Sequence, residues 1–203
     1  MLVFAVTPVI GAKLRLERPD PNDPLHRKGI EALAKAAKVA KLDTHHIALG
    51  LMEEPNAAYA GNGQFILGKP FLQYPQQALD AIMAHEVGHA VLHHVEKGML
   101  LRGGLIGGLG MLGATLSPTG GEKTGQQVGA IVTEFVFPKF SRKEEYEADA
   151  YGVKLLRHEG YPQPNQVMAD ALGILLQNFG NSGGHFFDTH PATADRIHRL
   201  TGN

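Results

Sequence analysis

The chain has 203 residues, 43% of them hydrophobic and 19% charged, with a formal net charge of -1. That is enough for a real core in one domain, and a near-neutral balance with no basic stripe speaks against nucleic acid as a partner. The absence of cysteine excludes disulfides and thiolate metal sites but does not choose a compartment.

Residues 2–11, LVFAVTPVIG, are apolar. They read either as an arm or strand packed on the core or as the remnant of an export or anchor segment. Pro8 interrupts the run, which is too short to span a membrane. Pro19, Pro21 and Pro24 make the following stretch extended, so residues 1–24 are taken as an N-terminal arm. A helix is predicted over 25–41, with Ile30, Leu33, Ala34 and Ala37 on one stripe. Residues 47–52 read as a strand, 53–63 as a turn and hairpin signal, and 64–68 as the next strand, stopped by Pro70. Together they predict a small antiparallel sheet. His45 and His46 read as solvated or hydrogen-bonded rather than as ligands.

Pro75 suits the first turn of the next helix, predicted to run to about residue 97. Residues 98–116 are apolar and glycine-rich. They are read as a buried or surface-docking helix in preference to membrane contact, being too short to span. The wider stretch 98–124 is a lid candidate. Another apolar helix follows over 125–137. Ser141 and Glu144 form a capping box that opens a helix through residue 156. Asn165 is expected to cap the next helix, to about residue 179. Residues 181–184 are a glycine-rich loop, and His190-Pro191 opens a last helix through residue 200. The whole predicts an α+β, predominantly α-helical chain, a single domain over 1–203.

The chemistry is concentrated in His85-Glu86-Val87-Gly88-His89. Positions four apart share one face of a helix, so His85 and His89 aim two imidazoles at one point with Glu86 beside them. This H-E-x-x-H arrangement binds Zn²⁺ through two neutral histidines, and the glutamate takes a proton from the water the ion activates. The surrounding run is too apolar for a surface helix, and buried His and Glu need partners. A hydrolytic zinc wants a third protein ligand. Glu122, Glu134, Glu144, Glu145, Glu147 and Glu159 are candidates. Glu145 has small neighbours, and Asp149 one turn later is placed to orient a zinc histidine through its far nitrogen. The same acidic residues also read as a solvated face paired with Arg142 and Lys143, and spacing alone leaves the two readings open. His93 continues the His85/His89 face but reads as structural or as a partner behind the ligands.

The set His85-Glu86-x-x-His89, Glu145-Tyr146-Glu147-Ala148-Asp149 with Gly152, then Thr189-His190-Pro191 and Arg196 resembles the M48 family of zinc metallopeptidases, from about residue 25 to the C-terminus. The match is to its soluble or peripheral branch rather than to its membrane-spanning CAAX-protease and HtpX branches. The resemblance implies a gluzincin, a zincin-like fold with a small sheet beside the active helix, and one zinc ion. It implies Glu145 as third ligand, Asp149 as partner of a ligating histidine, His190 near the open zinc position and Arg196 as its support. Asn56-Ala57-Ala58-Tyr59 and Gly61-Asn62-Gly63 depart from the family's usual turn.

The expected activity is a zinc-dependent metalloendopeptidase acting on unfolded or extended polypeptide in protein quality control. Glu86 is the base, and His190 stabilises the oxyanion. Substrate is expected to add a strand to the edge formed by Gln64, Phe65, Ile66 and Leu67, near Asn56. Peripheral membrane association and a cell-envelope location, periplasmic in a bacterium, are favoured over the cytoplasm. The rival reading is a non-catalytic or latent, zinc-stabilised client-binding module. In it a lid from 98–116 or 180–188 closes the site, with His185 or His190 as a fourth ligand.

Overall fold

The computed structural model describes residues 16–106 (backbone only for 101–106), 139–179, 189–191 and 193–202. The readings placed on residues 2–11, on 107–124 of the glycine-rich stretch, on the helix over 125–137 and on the loop over 180–188 with His185 lie outside these residues.

Helix α1 (Pro24–Ala40) starts where Asp23 accepts hydrogen bonds from the amides of Leu25 and His26, and it stops at Lys41, which takes left-handed backbone angles. Its buried side is Gly29, Ala32, Leu33, Ala36 and Ala37. The small residues let it lie close along the metal-motif helix.

Strands β1 (Ala48–Met52), β2 (Ala57–Gly61) and β3 (Gln64–Gly68) form a sheet in the order β1-β3-β2. The fold class is as predicted, but the sheet is mixed. β2 pairs antiparallel with β3, Tyr59 opposite Phe65, while β1 runs parallel to β3, Leu49 opposite Phe65. The hairpin turn is Gly61-Asn62-Gly63, all three at positive φ. A Cβ on Gly63 would lie 1.9 Å from the His46 carbonyl oxygen. The loop after β1 crosses the end of β3 at Gly68, where a Cβ would meet the Glu54 carbonyl at 2.3 Å. That crossing puts β3 in the centre and turns the expected two-strand hairpin into three strands. On the far side, Glu17 exchanges both backbone hydrogen bonds with Leu51 and covers part of the β1 edge.

Helix α2 (Gln76–Val91) carries the motif, and every residue over 78–90 is buried. It has no polar face because α1, the sheet and two later helices surround it. It ends sooner than predicted. The Leu92 amide still reaches the Gly88 carbonyl, but His93 takes φ 57°, and helix α3 (His94–Ile106) starts in a new direction. Helix α4 (Arg142–His158) has the predicted capping box, with Ser141 and Glu144 satisfying each other's amides. Helix α5 spans Pro164–Phe179, so Asn165 lies inside it rather than capping it, and its side chain donates to the Leu200 carbonyl. The last helix, α6 (Thr193–Thr201), starts three residues after His190. Among the described residues no helix is long and apolar enough to cross a membrane.

Candidate metal centre

Helices α2 and α4 cross with almost no space between their backbones. A Cβ on Gly88 would sit 2.8 Å from the Ala148 carbonyl oxygen, and one on Gly152 would sit 3.2 Å from the His85 amide nitrogen. This close approach brings the His85/His89 pair of α2, a helical turn apart, to one point with Glu145 of α4. His85 Nε2 and His89 Nε2 lie 3.0 Å apart. Glu145 Oε1 is 3.4 Å from His89 Nε2, and Oε2 is 3.6 Å from His85 Nε2. His190 joins them, its Nδ1 3.0 Å from Glu145 Oε1 and 3.4 Å from His85 Nε2. One ligand atom from each of these four buried residues lies within 4.8 Å of all the others.

Each histidine is held from behind. His85 Nδ1 lies 2.9 Å from Asp149 Oδ1, and His89 Nδ1 lies 2.9 Å from His94 Nδ1. Phe140 stacks on the His89 ring at 3.8 Å between centroids. Arg196, fully buried, grips Asp149 with Nε at 2.8 Å and Nη2 at 2.6 Å, and its Nη1 lies 2.5 Å from Glu145 Oε2. One guanidinium thus serves two buried carboxylates.

The charges follow from these contacts. Burial drives the His89 pKa down to about 4, and burial followed by the nearby Arg196 lowers that of His85. Both rings are therefore neutral at pH 7. Burial alone would raise Glu145, but Arg196 and then His190 overcome it and hold the carboxyl well below its usual range. Asp149 goes the same way, to about 2, because Arg196 outweighs burial. His190 is raised, since Glu145 and Glu86 more than offset its burial. Two neutral imidazole nitrogens facing each other beside an ionised, buried carboxylate are a donor set that suits a divalent cation with nitrogen and oxygen preference.

Glu86 lies at the rim of this cluster. Its Oε2 accepts the Tyr59 amide hydrogen bond from β2 at 2.8 Å. Its Oε1 is buried without a hydrogen-bond partner among the described residues and faces His190 Nε2 at 3.5 Å. His190 Nε2 is also 3.3 Å from the Ala57 carbonyl oxygen. Asn56, buried at the start of β2, accepts the Ala57 amide hydrogen bond through Oδ1.

His85, His89, Glu86, Glu145, Asp149, His190 and Arg196 are thus brought together. The expected docking edge is not. Gln64, Phe65, Ile66 and Leu67 belong to β3, which is the central strand with both edges already paired, so no further strand adds there. The edge facing the cluster is β2. Glu144 is engaged in the α4 cap, Glu147 faces His94, and Glu159 sits at the other end of α4. Sequence reasoning overlooked His94 because it assumed an unbroken helix. On such a helix His93 carries on the ligand face, whereas the break after Leu92 turns His94 back under His89.

The model for "Peptidase family M48" matches residues 19–203 of this chain. The chain is similar to Metalloprotease LoiP of Escherichia coli (strain K12), 32% identical over 123 residues covering 60% of this chain and 47% of that protein. It is similar to the Beta-barrel assembly-enhancing protease of the same organism at 27% over 201 residues, 91% of this chain and 40% of that one. A Protease HtpX homolog of Lactobacillus acidophilus is 37% identical over 86 residues, 36% of this chain and 29% of the homolog. The chain therefore spans about half or less of the length of these three relatives. With the family model covering all but the first residues, and with both halves of its metal motif meeting in space, the chain belongs to peptidase family M48.

Proposed function

We propose that this chain is a zinc-dependent metalloendopeptidase that cuts unfolded or extended polypeptide, with one ion held by His85, His89 and Glu145. The observation that carries the reading is the 3.0 Å approach of two neutral histidine nitrogens beside a buried, ionised glutamate. Zinc bound there supplies Lewis-acid polarisation of the scissile carbonyl and acidifies the attacking water. Glu86 Oε1, buried and without a hydrogen-bond partner among the described residues, takes the proton of that water and delivers it to the leaving amine. His190 Nε2 offers an N–H to the developing oxyanion from the Glu86 side. Asp149 fixes the His85 ring, and Arg196 keeps Asp149 and Glu145 ionised.

Substrate runs along β2. The Ala57 carbonyl and Tyr59 amide already point at His190 and Glu86, and an extended segment exchanges with them through backbone hydrogen bonds that fix no side chain. That suits unfolded clients, and a quality-control role in the cell envelope is consistent with a relative named for enhancing beta-barrel assembly. Casein digestion by the purified protein, with and without chelator, tests the activity. Glu86→Gln should keep its zinc and lose about 10²–10⁴-fold in cleavage rate; a variant that cleaves as fast as wild type removes Glu86 as base.

A latent, zinc-stabilised client-binding form is the second reading. It is favoured by His190 Nδ1, which lies close enough to the other three ligand atoms to fill the fourth position. Wild type that holds zinc, binds casein and does not cut it supports this form over the enzyme.

A further inference from the structure

Asp149 accounts for one zinc histidine, and its counterpart on the other is itself a histidine. The chain turns sharply after α2, with His93 in the left-handed region, and so places His94 as the first residue of α3. Its ring is buried, and its Nδ1 sits 2.9 Å from His89 Nδ1. Two ring nitrogens at that distance share one proton: one donates and the other accepts. His94 Nε2 is buried, with no hydrogen bond formed among the described residues, and Glu147 Oε2 lies 3.3 Å from it. Glu147 is half-exposed, and its other oxygen is 3.6 Å from Lys143 Nζ.

We infer that His94 and Glu147 form a relay that fixes the tautomer of His89, making His94 a positioning residue that sets the affinity of the centre for zinc. The inference rests on the metal-centre reading above. To ligate through Nε2, His89 must carry its proton on Nδ1. That proton points at His94 Nδ1, which must then be the bare acceptor. A neutral His94 so disposed holds its own proton on Nε2, and Glu147 is the acceptor within reach of it. The opposite assignment puts a proton on His94 Nδ1, makes His89 Nδ1 the acceptor and leaves a proton on His89 Nε2. That N–H would point at His85 Nε2, 3.0 Å away, and would occupy the lone pair the ion needs. The carboxylate of Glu147 therefore selects the metal-binding tautomer from two bonds away. Helix α4 supplies both the third ligand, Glu145, and the far end of this relay, two residues on.

The test measures zinc affinity of the full chain by competition with a chromophoric chelator at fixed pH. His94→Phe fills the space with no acceptor and should weaken binding by about 10–100-fold, as the loss of a partner behind a ligating histidine does elsewhere. His94→Asn, whose side-chain carbonyl can accept the His89 N–H, should recover most of that loss. Glu147→Ala acts one bond further out and should lose less, about three- to tenfold. It lies half-exposed, so it decides the question even if the His94 variants fail to fold, which melting of the metal-free proteins reports. Wild-type affinity in His94→Phe or in Glu147→Ala, or an Asn variant no tighter than Phe, overturns the relay. Glu145→Ala is run beside them. Loss of zinc there with no loss in the relay variants sinks the relay alone, whereas undiminished zinc in Glu145→Ala sinks the centre itself.

Discussion

The two ends of α4 bury carboxylates under opposite conditions. Near its start, Glu145 and Asp149 are shut away from water and both meet Arg196. At its end, Glu159 turns both carboxylate oxygens inward with no hydrogen-bond partner among the described residues. The neighbouring acid is Asp80, whose oxygens are already engaged by Lys35 Nζ at 2.8 Å, Tyr161 Oη at 2.7 Å and Gln76 Nε2 at 2.8 Å. The first pair is held ionised, Asp149 down to about 2, whereas burial and then Asp80 push Glu159 up to about 7. Burial is common to both ends, so it does not decide the charge. A cation in direct contact does: among the described residues Arg196 meets both carboxylates of the first pair.

Removing that cation should break the contrast most forcefully. Arg196→Met leaves two buried carboxylates uncompensated and should lower the stability of the metal-free protein by about 3–5 kcal/mol, read by urea denaturation. Zinc added at saturating concentration should restore part of it, because a divalent ion replaces the missing charge. A loss under about 1 kcal/mol would mean the acids neutralise by taking up protons instead. The contrast also depends on how closely α4 approaches α2. Gly88→Ala sets a methyl 2.8 Å from the Ala148 carbonyl oxygen, a backbone atom that cannot rotate away. It should cost about 1–3 kcal/mol as the helices separate. Because the separation also parts His85 and His89 from Glu145, zinc affinity should fall with it. Stability lost with affinity intact would show that the ligands do not depend on this crossing.

These dependencies mark where the sequence was legible. The His85/His89 pair and Glu86 need only a local helix, and four-residue spacing expresses that directly. The Ser141 cap is local as well, and so is the hairpin turn at Gly61-Asn62-Gly63. The choice among Glu144, Glu145 and Glu147 is different. It depends on which face α4 turns to α2, a matter settled by Gly88 and Gly152 meeting backbone across the crossing. Small neighbours and Asp149 one turn on favour Glu145 from the sequence, but spacing alone leaves open whether these acids form a site or a solvated face until the family resemblance is added. The order of strands was not legible for a related reason. Ala57-Ala58-Tyr59-Ala60-Gly61 has no β-branched residue and little alternation, so it read as turn, and β3 was taken for an edge. Nor does any proline or glycine mark the break at Leu92-His93, which conceals His94 from any reading that continues the helix.

The smallest expected effect sharpens the comparison at its other end. Glu159 follows the last residue of α4, where the helix dipole already disfavours an anion, and the nearby cation Lys35 lowers its pKa less than burial and Asp80 raise it. A carboxyl raised from 4.5 to about 7 by folding binds its proton more tightly in the native state. Its contribution is therefore fully present below about pH 4.5 and is lost as pH rises through 7. Glu159→Gln keeps the shape and cannot ionise. The wild type should lose stability relative to this variant between pH 5 and pH 8, by about 1 kcal/mol once solvent screening of a half-exposed group is allowed for. Parallel urea titrations at the two pH values measure it. If the two proteins keep a constant difference across that range, Glu159 has found a cation, and the two ends of the helix are less unlike than their charges suggest.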